Sequence, residues 1–135
     1  MEDLIKQLQQ AIGPDRKLDA EIWMTLYPEW RAYPRDDHGE GDIAWITPRD
    51  GRSYLATRYT GSVDDALSLI PKEMFYILGH GRVRSGEPLC GAQLLRPVTS
   101  EVIAEAESDT LPIAICIAAL RASDNLKSGD DRGSV

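Results

Sequence analysis

Four of the chain's nine aromatic residues, Trp23, Tyr27, Trp30 and Tyr33, fall within eleven positions and alternate with Arg31 and Arg35. Aromatic faces beside guanidinium groups stack on nucleobases and clamp phosphates, which makes this stretch the first candidate binding segment. The plain alternative is packing, with Trp23 and Tyr27 finishing a helix inside the core and the rest pinning a loop. A second candidate is Gly79-His80-Gly81-Arg82-Val83-Arg84-Ser85-Gly86. Its glycines would let backbone approach an anion, Arg82 and Arg84 could hold a phosphate, and His80 offers a group that titrates near neutral pH. The segment follows neither the Walker nor the GxGxxG pattern, so an ordinary hairpin connection accounts for it equally well. Third comes Asp36-Asp37-His38-Gly39-Glu40-Gly41-Asp42, whose carboxylates and imidazole could meet a divalent cation. Its spacing matches neither the EF-hand loop nor a zinc set, and a solvated acidic loop is the simpler account.

Catalysis finds no comparable support. There is no G-x-S-x-G elbow, and neither Cys90 nor Cys116 has a histidine beside it in the sequence. The reading therefore assigns no catalytic residue, no metal and no cofactor. Its ligand-binding candidates are Trp30, Arg31, Tyr33, Arg35, His80, Arg82 and Arg84.

Composition narrows the partners. The chain has 135 residues, 42% of them hydrophobic, enough for one domain with one core. Fifteen basic against 22 acidic side chains give a net charge of -7, which disfavours non-specific binding to a nucleic-acid backbone. Both cysteines sit in apolar surroundings and form no Cys-x-x-Cys pair, which suits a reduced, cytoplasmic protein. The acidic start, Met1-Glu2-Asp3, is unlike a signal peptide, and the apolar run Ile113 to Leu120 is too short to span a bilayer. No membrane partner is expected.

The elements that would position the candidates follow from periodicity. Leu4, Ile5, Leu8 and Ile12 make a helical stripe over residues 3 to 12, closed by Gly13 and Pro14. Asp15 would cap a second helix bearing Leu18, Ile22 and Leu26, which Pro28 ends. Residues 27 to 42 lack any period and read as a long loop. Ile43 to Thr47 and Ser53 to Tyr59 read as a hairpin, and Ser62 opens a short helix in the manner of a capping box, closed by Pro71. Met74 to Leu78 and Leu89 to Leu95 form a second hairpin. Val102 to Ala106 fits strand or helix. Thr110 would cap a last helix, Ile113 to Arg121, apolar on nearly every side and hence buried against the sheet. From Ser123 the chain turns polar and reads as a disordered tail. The expectation is an α+β domain over residues 1 to 122, with an antiparallel sheet of about four strands and helices packed on it. Periodicity leaves open whether the last helix faces its own sheet or a partner subunit.

Three segments, GPDRKLDAEIW (Gly13 to Trp23), YTGSVDDALSLIP (Tyr59 to Pro71) and PIAICIAALRA (Pro112 to Ala122), together resemble the family of small phage and prophage proteins called the phage ABA sandwich domain. The resemblance implies a layered α/β fold and a phage or prophage origin, with the host cytoplasm as the site of action. It carries over no functional residue. Three functional expectations follow from the residues and the resemblance together. The first is a non-enzymatic module capturing a nucleotide-like small molecule. The second is a module binding a phage or host protein, and the third is a metal-dependent hydrolase using the acidic loop and His80.

Overall fold

The computed structural model describes residues 1–29, 31–33, 45–47, 54–82, 86 and 88–133. Helix α1 (Glu2–Gln10) buries Leu4 and Leu8, and its first turn carries Glu2 and Asp3 at the positive end of the helix dipole. It stops at Ala11, which is already extended, so Ile12 leaves the stripe and stands 87% exposed. The sequence reading carries this helix two residues too far. Helix α2 (Arg16–Leu26) starts where expected, with the Asp15 carboxylate accepting from the backbone N–H groups of Lys17 and Leu18 at 2.9 and 3.2 Å. Helix α3 (Val63–Leu67) is capped by the Ser62 hydroxyl, which accepts from Asp65 N–H.

The fold is the expected α+β arrangement of helices packed on an antiparallel sheet, but that sheet has three strands where about four are expected, and a second three-stranded sheet is present among the described residues. The smaller joins β1 (Arg31–Tyr33), β2 (Trp45–Thr47) and β3 (Tyr54–Leu55). The larger has the order β4 (Phe75–Arg82), β5 (Pro88–Leu95) and β6 (Val102–Ser108). Strand β4 runs four residues beyond its expected end at Leu78, because Gly79, His80, Gly81 and Arg82 continue the ladder opposite Gly91, Cys90, Leu89 and Pro88. The first half of the expected Gly/Arg connection is therefore strand. Gly86, beyond it, takes φ +88°, a conformation that only glycine adopts without strain. The ambiguous 102–106 segment is strand, with Ala104 and Ala106 turned inward and Glu105 and Glu107 outward.

The core is organised about helix α4 (Leu111–Gly133). Residues 113–120 and Ala122 are all buried. One side of α4 packs on β5 and β6, while α1 and α3 pack on other parts of its surface. A helix covered by a sheet and by other helices has no solvent face, which explains its all-round apolar character. Close approach to the sheet is possible because Ala92, Ala104 and Ala106 present small side chains there. Thr110 supplies its backbone carbonyl to Ala114 N–H, but its buried hydroxyl finds no partner, so the expected side-chain cap is not made. The helix also continues past Ser123, where a disordered tail is expected from the sequence. Once a buried segment has nucleated the helix, each further residue adds a hydrogen bond at low cost. Arg121 Nη1 and Asn125 Nδ2 reinforce this end by donating to the carbonyls of Glu105 and Ile103 at 2.9 and 2.8 Å.

Candidate functional site

Strand register decides which side chains meet on the larger sheet. Cys90, Ala92 and Leu94 of β5 face α4, so Gly91 and Gln93 face away. Gly91 pairs with Gly79 of β4 and Glu107 of β6, and Gln93 pairs with Ile77 and Glu105. A cavity of about 600 Å3 opens against these strands, lined by Gly79, Gly91, Gln93, Glu105 and Glu107, by the apolar Ile77, Ala92, Ala106 and Ile117, and by Gln9 of α1 and Arg121 of α4. Its size suits a small ligand. Two glycines leave the backbone of adjacent strands bare, so a flat molecule can lie close to it. Gln93 Nε2 donates to Glu105 Oε2 at 3.1 Å, and the Arg121 guanidinium is engaged by the Glu105 carbonyl. The Glu107 carboxylate has no hydrogen-bond partner among the described residues. The lining thus combines an apolar part with two glutamates that suit a ligand bringing donors or positive charge, and Arg121 is its one cation among the described residues.

Of the seven residues singled out from sequence, four fall within described strands. Arg31 and Tyr33 occupy β1, opposite Thr47 and Trp45. His80 lies on β4 opposite Cys90, exposed, and Arg82 ends that strand opposite Pro88. His80 and Arg82 belong to the larger sheet, whereas Arg31 and Tyr33 belong to the other sheet. Trp30, Arg35 and Arg84 lie outside the described residues, as does the acidic loop from Asp36 to Asp42. Of the seven, His80 is the one whose side chain is described, and it is not among the residues lining the cavity. Trp23 is partly buried against the core as packing would have it, with Tyr59 tilted against it at 6.4 Å, whereas Tyr27, tilted against it at 5.0 Å, is exposed.

A buried polar cluster escapes the sequence reading altogether. Asp19, 1% exposed, accepts from Thr60 N–H at 2.7 Å, Thr60 Oγ1 at 2.8 Å and Arg16 Nη1 at 2.6 Å. Arg16 Nη2 also donates to the Ala56 carbonyl at 2.7 Å, and Asp15 N–H donates to Thr60 Oγ1 at 2.8 Å. The Cys116 thiol donates to the Tyr59 carbonyl at 3.3 Å. Gly61 is held against Pro14, where an added Cβ would sit 3.3 Å from the proline's own Cβ. All three sequence blocks of the resemblance therefore meet at one node, whose polar groups bond to each other and to backbone except for the buried Arg16 Nε, which finds no partner. The node joins α2, the turn before α3, and α4; it is a structural clamp. The signal lies in Asp19, an acid placed between Leu18 and Ile22 on a core-facing helix surface, where a charge requires partners.

Burial, and then the nearby charge of Asp19, push the Cys116 thiol up to about 12 from an ordinary 9.0. Burial likewise raises Tyr59. In the unfolded chain the thiol ionises first, so the native state holds more protons between about pH 9 and 12 and stability falls as pH rises through that window. Equilibrium denaturation between pH 8 and 11 should show the loss, reduced in Cys116→Ala relative to that variant's own value at pH 8. At pH 8 the native thiols, both buried, should resist iodoacetamide and react fully once unfolded.

Among the described residues no group of three or more His, Cys, Asp or Glu side chains could hold a metal ion, and no helix is long and apolar enough to cross a membrane. No protein-family model matches the chain, and neither a curated protein nor a solved structure matches it.

Proposed function

We propose that this chain is a non-enzymatic binding module that captures a small molecule in the cavity on the β4–β5–β6 sheet. The observation that carries the reading is the cavity lining itself, a bare-backbone floor at Gly79 and Gly91 edged by the carboxylates of Glu105 and Glu107. A ligand with a flat body and several donors fits this chemistry, as a nucleobase or a planar amine does. Of the nucleotide-type ligands suggested by the sequence, those that enter base-first are favoured, because an amino edge can donate to carboxylates and phosphates would be repelled. The phage or prophage origin rests on the three sequence blocks and on their convergence at the Asp19 node.

The reading is tested by thermal shift with adenosine, guanosine, their triphosphates and agmatine. A ligand at a hundred times its Kd adds about 2.7 kcal/mol, a rise of roughly 5–10 °C for a domain of this size. Nucleosides or agmatine should give such a shift, abolished in Glu105→Gln/Glu107→Gln. No shift with any of these compounds, or triphosphates outperforming nucleosides, would sink it. A second reading, a module binding a phage or host protein, is favoured by the exposed cluster Phe75, Tyr76, Ile77 and Val102.

A further inference from the structure

The two edges of the larger sheet are treated differently. At β6 the carbonyls of Ile103 and Glu105 are occupied by Asn125 and Arg121 of α4. Side chains thus cover that edge and block the addition of another strand. At β4 no strand pairs on the far side among the described residues. Phe75, Tyr76 and Ile77 there are 62%, 47% and 57% exposed, with Phe75 and Ile77 on one face and Tyr76 on the other. A long apolar edge with no proline, bulge or charge before Arg82 invites strand pairing.

We infer that β4 pairs antiparallel with β4 of a second copy, joining two three-stranded sheets into one of six strands. The inference goes beyond the proposed ligand site but shares residues with it, because Ile77 and Gly79 also line that cavity. The segment Phe75-Tyr76-Ile77-Leu78-Gly79 complements itself about a two-fold axis through Ile77. In that register Ile77 meets Ile77 of the second copy, Tyr76 meets Leu78, and Phe75 meets Gly79. Each Phe75 ring then covers a glycine that offers no side chain of its own, a known means of protecting strand glycines. Residues 75–79 are uncharged in a chain of net charge -7, so two copies can approach there with least repulsion. With one edge capped and one open, addition stops at two copies, and the assembly closes as a dimer instead of growing into a filament.

The area sets the expected strength. Four aromatic side chains, each covering about 150–250 Å2 when fully buried and roughly half free here, contribute on the order of 400 Å2. The isoleucines and the backbone ladder must carry the total toward the roughly 1,200 Å2 found at the low end of stable interfaces. A dimer in the micromolar range follows.

Sedimentation of the purified full chain over a concentration series should show reversible monomer–dimer exchange. Ile77→Lys, which places two ammonium groups on the axis, should weaken it on the order of 100-fold or more, with an unchanged circular-dichroism spectrum. Ile77→Cys supplies an independent readout, since directly opposed residues lie about 4.5–5.5 Å apart at Cα, within reach of a disulfide. Mild oxidation should cross-link Ile77→Cys into a covalent dimer and leave Val98→Cys, 97% exposed but outside β4, uncross-linked. A chain that stays monomeric to several hundred micromolar would overturn the inference. So would a dimer that survives Ile77→Lys intact, or an Ile77→Cys variant that fails to cross-link.

Discussion

Asp19→Ala should destabilise the fold by roughly 3–5 kcal/mol, the usual consequence of removing one partner from a buried ion pair. For a domain of this length that lowers Tm by on the order of 10 °C or more. The cost arises on several sides at once. Arg16, 11% exposed, would keep its charge while losing its carboxylate. Thr60 N–H and Thr60 Oγ1 would lose the acceptor they share, and a buried donor without a partner is penalised on its own account. Thr60→Val is the graded comparison. It leaves Asp19 with Thr60 N–H and Arg16 but removes both the hydroxyl's bond to Asp19 and the acceptor of Asp15 N–H, so about 1.5–3 kcal/mol is expected, toward the upper end. Denaturant titration of both variants reads the difference directly. If Asp19→Ala fell within about 1 kcal/mol of the parent, below the cost of a single lost charged hydrogen bond, the node would not be the clamp that joins α2, α4 and the turn before α3. Because the Asp19 charge helps hold the Cys116 thiol protonated, the same variant should ionise Cys116 at a lower pH, to the extent that burial persists.

The elements legible in the sequence are those whose signals are local. Asp15 and Ser62 cap helices because a short polar side chain ahead of an apolar stripe can satisfy free N–H groups. Helix α4 is recognisable as buried because a run from Ile113 to Leu120 leaves no polar face. The failures are equally physical. Strand β6 reads Val-Ile-Ala-Glu-Ala-Glu-Ser, and Ala and Glu are strong helix formers, so propensity opposes the period-two alternation that the sheet enforces. Gly79 to Arg82 looks like a loop on composition alone. It becomes strand because Pro88 to Gly91 lie opposite it, which is information from elsewhere in the chain. The candidate site suffers from the same non-locality. Gly79, Gly91, Gln93, Glu105 and Glu107 come from three strands and are assembled by register, so no contiguous motif announces them. Conspicuous clusters draw attention to charged and aromatic side chains such as His80, which does not line the cavity.

Leu94→Ala is the second large effect, and its size depends on how α4 meets the sheet. Leu94 lies in the central strand β5, fully buried, between Tyr76 of β4 and Ala104 of β6. Replacing a buried leucine by alanine costs about 2–5 kcal/mol, with the upper values where surroundings cannot collapse into the space. Here they cannot. The α4 helix already rests on Ala92, Ala104 and Ala106, and side chains that small leave it no shorter distance to move into. Leu94→Ala should therefore fall in the upper half of the range and lower Tm by on the order of 10 °C or more. Leu94→Met, which keeps the volume, should cost under about 1.5 kcal/mol. Ile12→Ala, at a position 87% exposed, should stay within about 0.5 kcal/mol of the parent. A Leu94→Ala variant no weaker than Leu94→Met would mean that the helix relaxes toward the sheet after all. In that case the alanine contacts would not be the limit on its approach.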